Sequence, residues 1–430
     1  MASTYLNRAF SSGSVGTIAT WSFWIKRSLI GSAQFIFQTR DANNNNYRNY
    51  FRFGSTDTFD MFAYNSSGTQ ILDLRTNRVF RDTSAWYHIV IAMNTTISAT
   101  PSDRIKFYVN GVQETSFGTA TYPTHNLDIR KVSSVYTGWG QNIPNNSSFV
   151  DGSMSHINFI DGTAYDATAF GSTDSTTGEW QITANPSVTY GTNGYFILKD
   201  GNTITDSSPN SNNFTVGGGT LTKTEDSPSN VFATLNPLAS MLAGGTFSNG
   251  NNKILTGATE TASYTSTLGM TTGKYYAEMK AVTIYNGYAQ FGIKGRVSVA
   301  GGVGSGTDGY AFYANGGKKV NNGTETAYAG VAWNNNDIIG CAVDLDNNKI
   351  YWSRNGTWIN SGDPTSGATG TGAAFTLITP TQGAYFFACS DEDNGAGTAN
   401  TYELNFGNGY FGTTAVSTNS GNGYAGAEGA

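Results

Sequence analysis

Apolar positions recur at every second residue along most of the chain. Trp21–Lys26, Gln34–Thr39, Asn49–Phe53, Phe59–Tyr64, Trp86–Met93 and Arg104–Asn110 all follow this period, which places alternate side chains on opposite faces of an extended strand. Farther on, Ile339, Cys341 and Val343 alternate with Gly340, Ala342 and Asp344. Asp346-Asn347-Asn348 then breaks the run, Lys349 to Arg354 resumes it, and Asn355-Gly356 breaks it again. An Asn-Gly pair between alternating runs predicts a tight hairpin, because both central residues of a type I′ turn need positive φ. Helical periodicity is hard to find anywhere. Short strands with turn signals at about 8–12-residue spacing predict an all-β protein built of sandwiches.

Two halves emerge. Four of the nine prolines fall at 186, 209, 228 and 237, within and around the polar stretches SPNSNNFTVGGGT and EDSPSNVFATLNPLAS. These mark residues 221–244 as a connector between a first domain, 1–220, and a second, 245–415, with a Gly-rich tail over 416–430. Trp86 and Phe107 are expected in the first core, and Tyr276, Phe291 and Trp352 in the second. DRIKFYVNGVQ and DNNKIYWSRNGTW echo each other across the halves, each an aromatic strand ending in Asn-Gly. Convergent hairpin chemistry and related folds explain the echo equally well.

Composition narrows the function. Only 13% of the 430 residues are charged, about half the usual share, while 13% aromatic content supplies the apolar surface that disordered chains lack. The net charge is −6, and residues 281–430 hold 11 acidic against 6 basic residues. No basic stripe suits a phosphate backbone, so nucleic acid is not an expected partner. Arg40, Arg48, Arg52, Arg75, Arg78 and Arg81 lie on several predicted strands and read as solvated strand faces rather than a contact patch. No apolar run approaches the ~20 residues of a membrane span, and MASTYLNRAF is not a secretory signal. Cys341 and Cys389 sit in apolar alternating runs; buried free thiols are favoured over a single disulfide.

Candidate chemistry is sparse. A glycoside hydrolase needs two carboxylates placed about 5–9.5 Å apart, most economically on one strand face, and no Glu-x-Asp-x-Glu run occurs. Asp344 and Asp346 share a face only where strand meets turn. Asp391, Glu392 and Asp393 form a weak calcium candidate, too few oxygens for the six to eight that ion takes; a surface turn is the plainer reading. The three histidines lack metal spacing, and His88 in a predicted core strand reads as a hydrogen-bonded structural residue. No catalytic residue and no cofactor is expected. VYTGWGQN and GYAFYANGG mix aromatic rings with Asn and Gly as sugar sites do, offering Tyr136, Trp139, Tyr310, Tyr313 and Asn315 as glycan or partner contacts; buried sandwich aromatics give the same pattern.

AWYHIVIAMN followed by IKFYVNGVQE resembles the laminin-G-like, concanavalin A-like sandwich, and GSMSHINFIDGTAYDATAFG is similar to its closing strands. GKYYAEMK, QFGIKG, GYAFYANGGKKVNNG, DIIGCAVDLDNNKIYWSRNG and NFGNGYF, in that order, resemble a SPRY domain. The fold class implied is two concanavalin A-like, jelly-roll β-sandwiches in tandem. Both modules around the SPNSNN and DSPSNVFATLNPL connector look like appendage proteins of tailed bacteriophages. That resemblance implies a non-enzymatic structural protein of the virion surface, a tail fibre, vertex fibre or capsid decoration. Its expected partners are other virion proteins, copies of itself and host surface polysaccharide. The alternatives are a carbohydrate-binding adhesin outside a virion and a glycoside hydrolase-like protein. The tail has too few apolar groups to order itself, so an ordered tail would lean on another surface.

Overall fold

A computed structural model describes residues 3–10, 16–41, 43–129, 135–143, 145–239, 244–257, 261–297, 301–330, 332–392, 397–412 and 414–416. The chain divides into two compact units: residues 1–223 with 227–231, and residues 224–226 with 232–430. Each is a sandwich of two antiparallel sheets. The only helical segments among the described residues are short 3₁₀ turns. The tail beyond Val416 lies outside the described residues.

In the first unit the larger sheet has eight strands. In spatial order they are Phe117–Thr121, Gln70–Val79, Thr58–Tyr64, Arg48–Phe53, Gln34–Asp41, Val135–Trp139, Tyr5–Phe10 and Thr215–Gly218. Facing it are Tyr195–Ile197, Gly152–Asp161, Ile18–Arg27, Trp86–Asn94, Ile105–Val109 and Val112–Glu114. The inward rows follow the alternation of the sequence. Phe51 and Phe53 meet Phe59 and Met61 from the larger sheet; Ile105, Phe107 and Val109 point inward from the smaller. Trp21 joins the two, its ring edge-on to Phe51 at 5.2 Å, and Trp139 Nε1 donates to Tyr195 Oη at 2.9 Å across the sandwich. A buried indole needs such a partner for its N–H.

The second unit repeats the plan. One sheet runs Thr246–Ser248, Lys253–Leu255, Thr401–Asn405, Lys274–Thr283, Ile338–Asp344, Lys349–Arg354 and Thr357–Trp358, with Phe375–Thr376 beside Lys349–Arg354. The other runs Ala262–Thr265, Phe386–Asp391, Ala289–Lys294, Gly309–Tyr313, Lys318–Asn321 and Thr324–Ala327. Phe291 and Trp352 are wholly buried in its core, with Ile339, Cys341, Val343 and Ile350. Cys341 and Cys389 are both free thiols, held protonated because burial pushes each thiol up.

Two expectations need correction. Tyr276 is not in the core: parity along Lys274–Thr283 turns Ala277, Met279 and Ala281 inward, and leaves Tyr276 outside, donating to Glu278 Oε1 at 2.8 Å. Leu235, within the supposed connector, is fully buried in the second core, so that stretch packs rather than merely links.

Candidate functional site

The face of the eight-stranded sheet turned away from the core carries the most concentrated chemistry. Arg48, Tyr50 and Arg52 alternate with the inward Asn49, Phe51 and Phe53, and stand opposite Tyr64, Phe62 and Asp60. On the other side Phe35 and Arg40 stand opposite Arg52 and Arg48. Arg75 faces Asp60 from the next strand. Four arginines that are dispersed in sequence thus share one surface. Beneath them lie aromatic rings: Tyr50 packs on Phe35 at 4.8 Å and on Phe62 at 5.0 Å. Arg52 and Arg75 both lie 5.0 Å over Phe62, and Arg48 lies 4.3 Å over Tyr64. Guanidinium planes stacked on ring faces cover the apolar layer and leave cationic edges to water.

The charges on this face are not all matched. Arg52 Nε is 3.0 Å from Asp60 Oδ2, and Arg75 grips Asp73 with two hydrogen bonds of 2.9 and 3.0 Å. Arg40 and Arg48 face each other across two strands and have no carboxylate partner among the described residues. Asn45 hydrogen-bonds both, its side-chain oxygen accepting from Arg40 and its carbonyl from Arg48. Tyr136 stands opposite Arg40 on the far side, with the guanidinium 5.6 Å from its ring. One transverse row therefore reads Tyr136, Arg40, Arg48, Tyr64. The signal for it was present in the sequence as the parity of Arg48, Tyr50 and Arg52; the strand neighbours were not. Of the remaining arginines, Arg78 pairs with Glu114 and Arg81 with Asp57.

The structure disperses the ring candidates proposed from sequence. Tyr136 is half-buried on the outer face, but Trp139, an odd number of residues away, points into the core. Tyr310 is buried in the second core and Tyr313 in a satellite cluster with Val303 and Val320. None of these three rings has a face free for a sugar. Asn315 is exposed, on a tight turn with Gly316 at φ 68°.

The acidic candidates also turn inward. Asp391 accepts from Thr256 Oγ1 at 2.6 Å and Glu392 from Ser390 Oγ at 3.0 Å; Asp393 lies outside the described residues. Burial raises Glu392 to about 7 against the pull of Ser390 and Lys294. Burial likewise lowers Lys294 to about 8, although Glu392 and Asp308 favour its charge. These are not the solvated surface-turn carboxylates expected, because Asp391 ends the strand Phe386–Asp391, which lies between Ala262–Thr265 and Ala289–Lys294, and Glu392 follows it directly. Among the described residues no three ligating side chains gather to hold a metal. Asp344 and Asp346 are engaged in the hairpin: Asp344 accepts from Asn347 and Asp346 from the N–H of Gly273.

One constellation superficially suits nucleophilic catalysis. Ser22 Oγ is 2.9 Å from His88 Nε2, and Trp180 Nε1 donates to His88 Nδ1 at 2.9 Å. An indole N–H can only donate, so Nδ1 is bare, and Nε2 carries the proton and donates to the serine. A catalytic serine needs the reverse polarity. Burial lowers His88 to about 3, His156 adding to the effect, so the ring is a neutral structural element stacked on Trp24 at 4.7 Å.

The comparisons with known proteins divide the chain in the same two parts. Residues 6–168 match the Laminin_G_3 family, described as the concanavalin A-like lectin/glucanases superfamily. Residues 267–400 match the SPRY domain family. The protein is thus an all-β tandem of a concanavalin A-like, laminin-G-type domain and a SPRY domain. Among solved structures it is similar to the SPRY domain of human HERC1, at 16% identity over 40% of this chain and 96% of that one, with a TM-score of 0.32. It is similar also to a human SPRY domain at 17% identity, covering 37% of this chain and 93% of that one, with a TM-score of 0.30. No curated protein sequence matches the chain.

Proposed function

We propose that this chain is a non-enzymatic surface protein of a tailed-bacteriophage virion, a fibre or capsid appendage. In this reading it contacts host surface glycans through the outer face of the eight-stranded sheet in its first unit. The observation that carries the binding role is that face: four arginines from three strands, stacked over an aromatic layer. A layer of that kind offers fixed N–H donors at little entropic expense, because stacking already restrains the guanidiniums. The acids of the same face are taken up by arginine, so they are poorly placed to act as the carboxylate pair that glycoside hydrolysis requires. The virion assignment rests on the resemblance of the two modules and their connector to phage appendages. Other virion proteins and copies of this chain would hold it on the particle.

Two measurements test the reading. Mass spectrometry of purified particles should find the chain, with a few copies meaning a fibre and hundreds a capsid decoration. The purified protein should also compete with particles for adsorption to host cells. Absence from particles would remove the virion role, and polysaccharide cleavage by the pure protein would remove the non-enzymatic one.

A further inference from the structure

We propose that the row Tyr136, Arg40, Arg48 and Tyr64 is a binding site for the acid groups of an anionic polysaccharide, a carboxylated or sulfated saccharide. The inference rests on the glycan-contact reading above and gives it a chemical class. Three features carry it. Arg40 and Arg48 stand directly opposite each other on adjacent strands, an arrangement that is unfavourable for like charges. The neighbouring arginines on this face, Arg52 and Arg75, each have a carboxylate, whereas this pair has none among the described residues. Their hydrogen bonds to Asn45 use one Nη1 of each guanidinium, and Arg40 Nε is buried with no partner. An oxyanion above the pair would relieve the repulsion and accept from both guanidinium forks.

The surroundings select among anions. No large apolar side chain is exposed along this row, among the described residues, so the face lacks the apolar anchor around which protein interfaces concentrate their energy. Four arginines interrupted by Asp60 and Asp73 do not make the continuous basic track a nucleic acid needs. A polar chain with acid groups at intervals fits better. Tyr64 and Tyr136 flank the pair at both ends, each half-buried and each already beside a guanidinium. Their remaining ring surface suits sugar C–H groups.

The test uses the full chain and two pairs of polymers, polygalacturonate with its methyl ester and dextran sulfate with dextran, in calorimetric titrations. The acidic member of at least one pair should bind, and its affinity should fall as salt rises. Arg40→Gln and Arg48→Gln should each weaken it about tenfold, while Lys106→Gln, a half-exposed cation on the other sheet, should not. The melting temperature of the double variant should be unchanged or higher, since it removes a like-charge pair and shows that lost binding is not unfolding. Binding of the acidic polymers that survives both substitutions overturns the site. Binding of the neutral polymers alone overturns the anionic class but leaves glycan contact standing. Binding of none of the four overturns this inference; host-cell adsorption competition then decides the broader reading separately. Self-association lost in the arginine variants, by sedimentation, would mark a second copy as occupant and also overturn it.

Discussion

Asn110 and His88 exchange two hydrogen bonds: the Asn110 N–H donates to the His88 carbonyl at 2.9 Å, and the His88 N–H donates to Asn110 Oδ1 at 2.7 Å. In the second unit Asn355 and Ile338 do the same, at 2.7 and 2.8 Å. In each hairpin the turn asparagine extends the ladder of the neighbouring strand with its own side chain. Its φ is 47° in both, followed by Gly111 at 80° and Gly356 at 78°. The echo between the two sequence segments is therefore an echo of hydrogen bonding as well as of pattern.

Replacing either turn glycine by alanine should destabilise its own unit by about 1 kcal/mol, because a Cβ disfavours positive φ. Gly111→Ala should lose more. Its Cβ would lie 2.3 Å from the Trp180 ring and would lever that indole off His88. Melting curves and tryptophan emission check this: the emission of Gly111→Ala should shift, and that of Gly356→Ala should not.

Trp352→Ala should cost the second unit about 3–5 kcal/mol, the usual range for truncating a wholly buried aromatic. Tyr276→Ala, on the outer face, should cost distinctly less. Scanning calorimetry of both variants checks the assignment; equal losses would contradict the register of Lys274–Thr283.

Asp57→Ala should be among the most damaging changes in the first unit. Asp57 accepts from Arg27 at 3.1 Å, from Arg81 at 2.9 Å and from the N–H of Gly31 at 2.7 Å. Burial raises its carboxyl, but these three donors outweigh that and hold it low. Without it the buried Arg27, stacked 4.1 Å over Phe53, is a charge with no counterion, a loss of about 3–5 kcal/mol. Urea titration of the variant measures it.

Between pH 4.5 and 6.5 the two units should respond oppositely. Folded Glu392 keeps its proton to about pH 7, against an ordinary 4.5. The folded second unit therefore binds more protons in this window and loses stability as pH rises. His88 and His156 stay neutral when folded down to about 3 and 4, against 6.5. There the unfolded state binds more protons, so the first unit gains stability as pH rises. Thermal scans across this range should show the two transitions moving in opposite directions, and Glu392→Gln should flatten the fall of the second.

Alternation and turn chemistry are local, and so were legible without any structure. The inward rows Ile105, Phe107, Val109 and Ile339, Cys341, Val343 follow from period two alone, because successive side chains on a strand must point to opposite faces. The positive-φ turns at Asn110-Gly111 and Asn355-Gly356 follow from the conformational tolerance of those two residue types. Parity also forbids Tyr136 and Trp139 from sharing a face, although only the structure tells which of them is inside. Pairing is different. Val135–Trp139 lies beside Gln34–Asp41, almost a hundred residues away in sequence, and this brings Tyr136 to Arg40 and Arg40 to Arg48. Trp180 reaches His88 from a separate hairpin in the same way. No short window encodes these neighbours, because strand order is set by the joint burial of two whole sheets. The arginine pair, the strongest candidate site in the molecule, is thus a product of tertiary pairing, built from strands whose individual faces the sequence already determined.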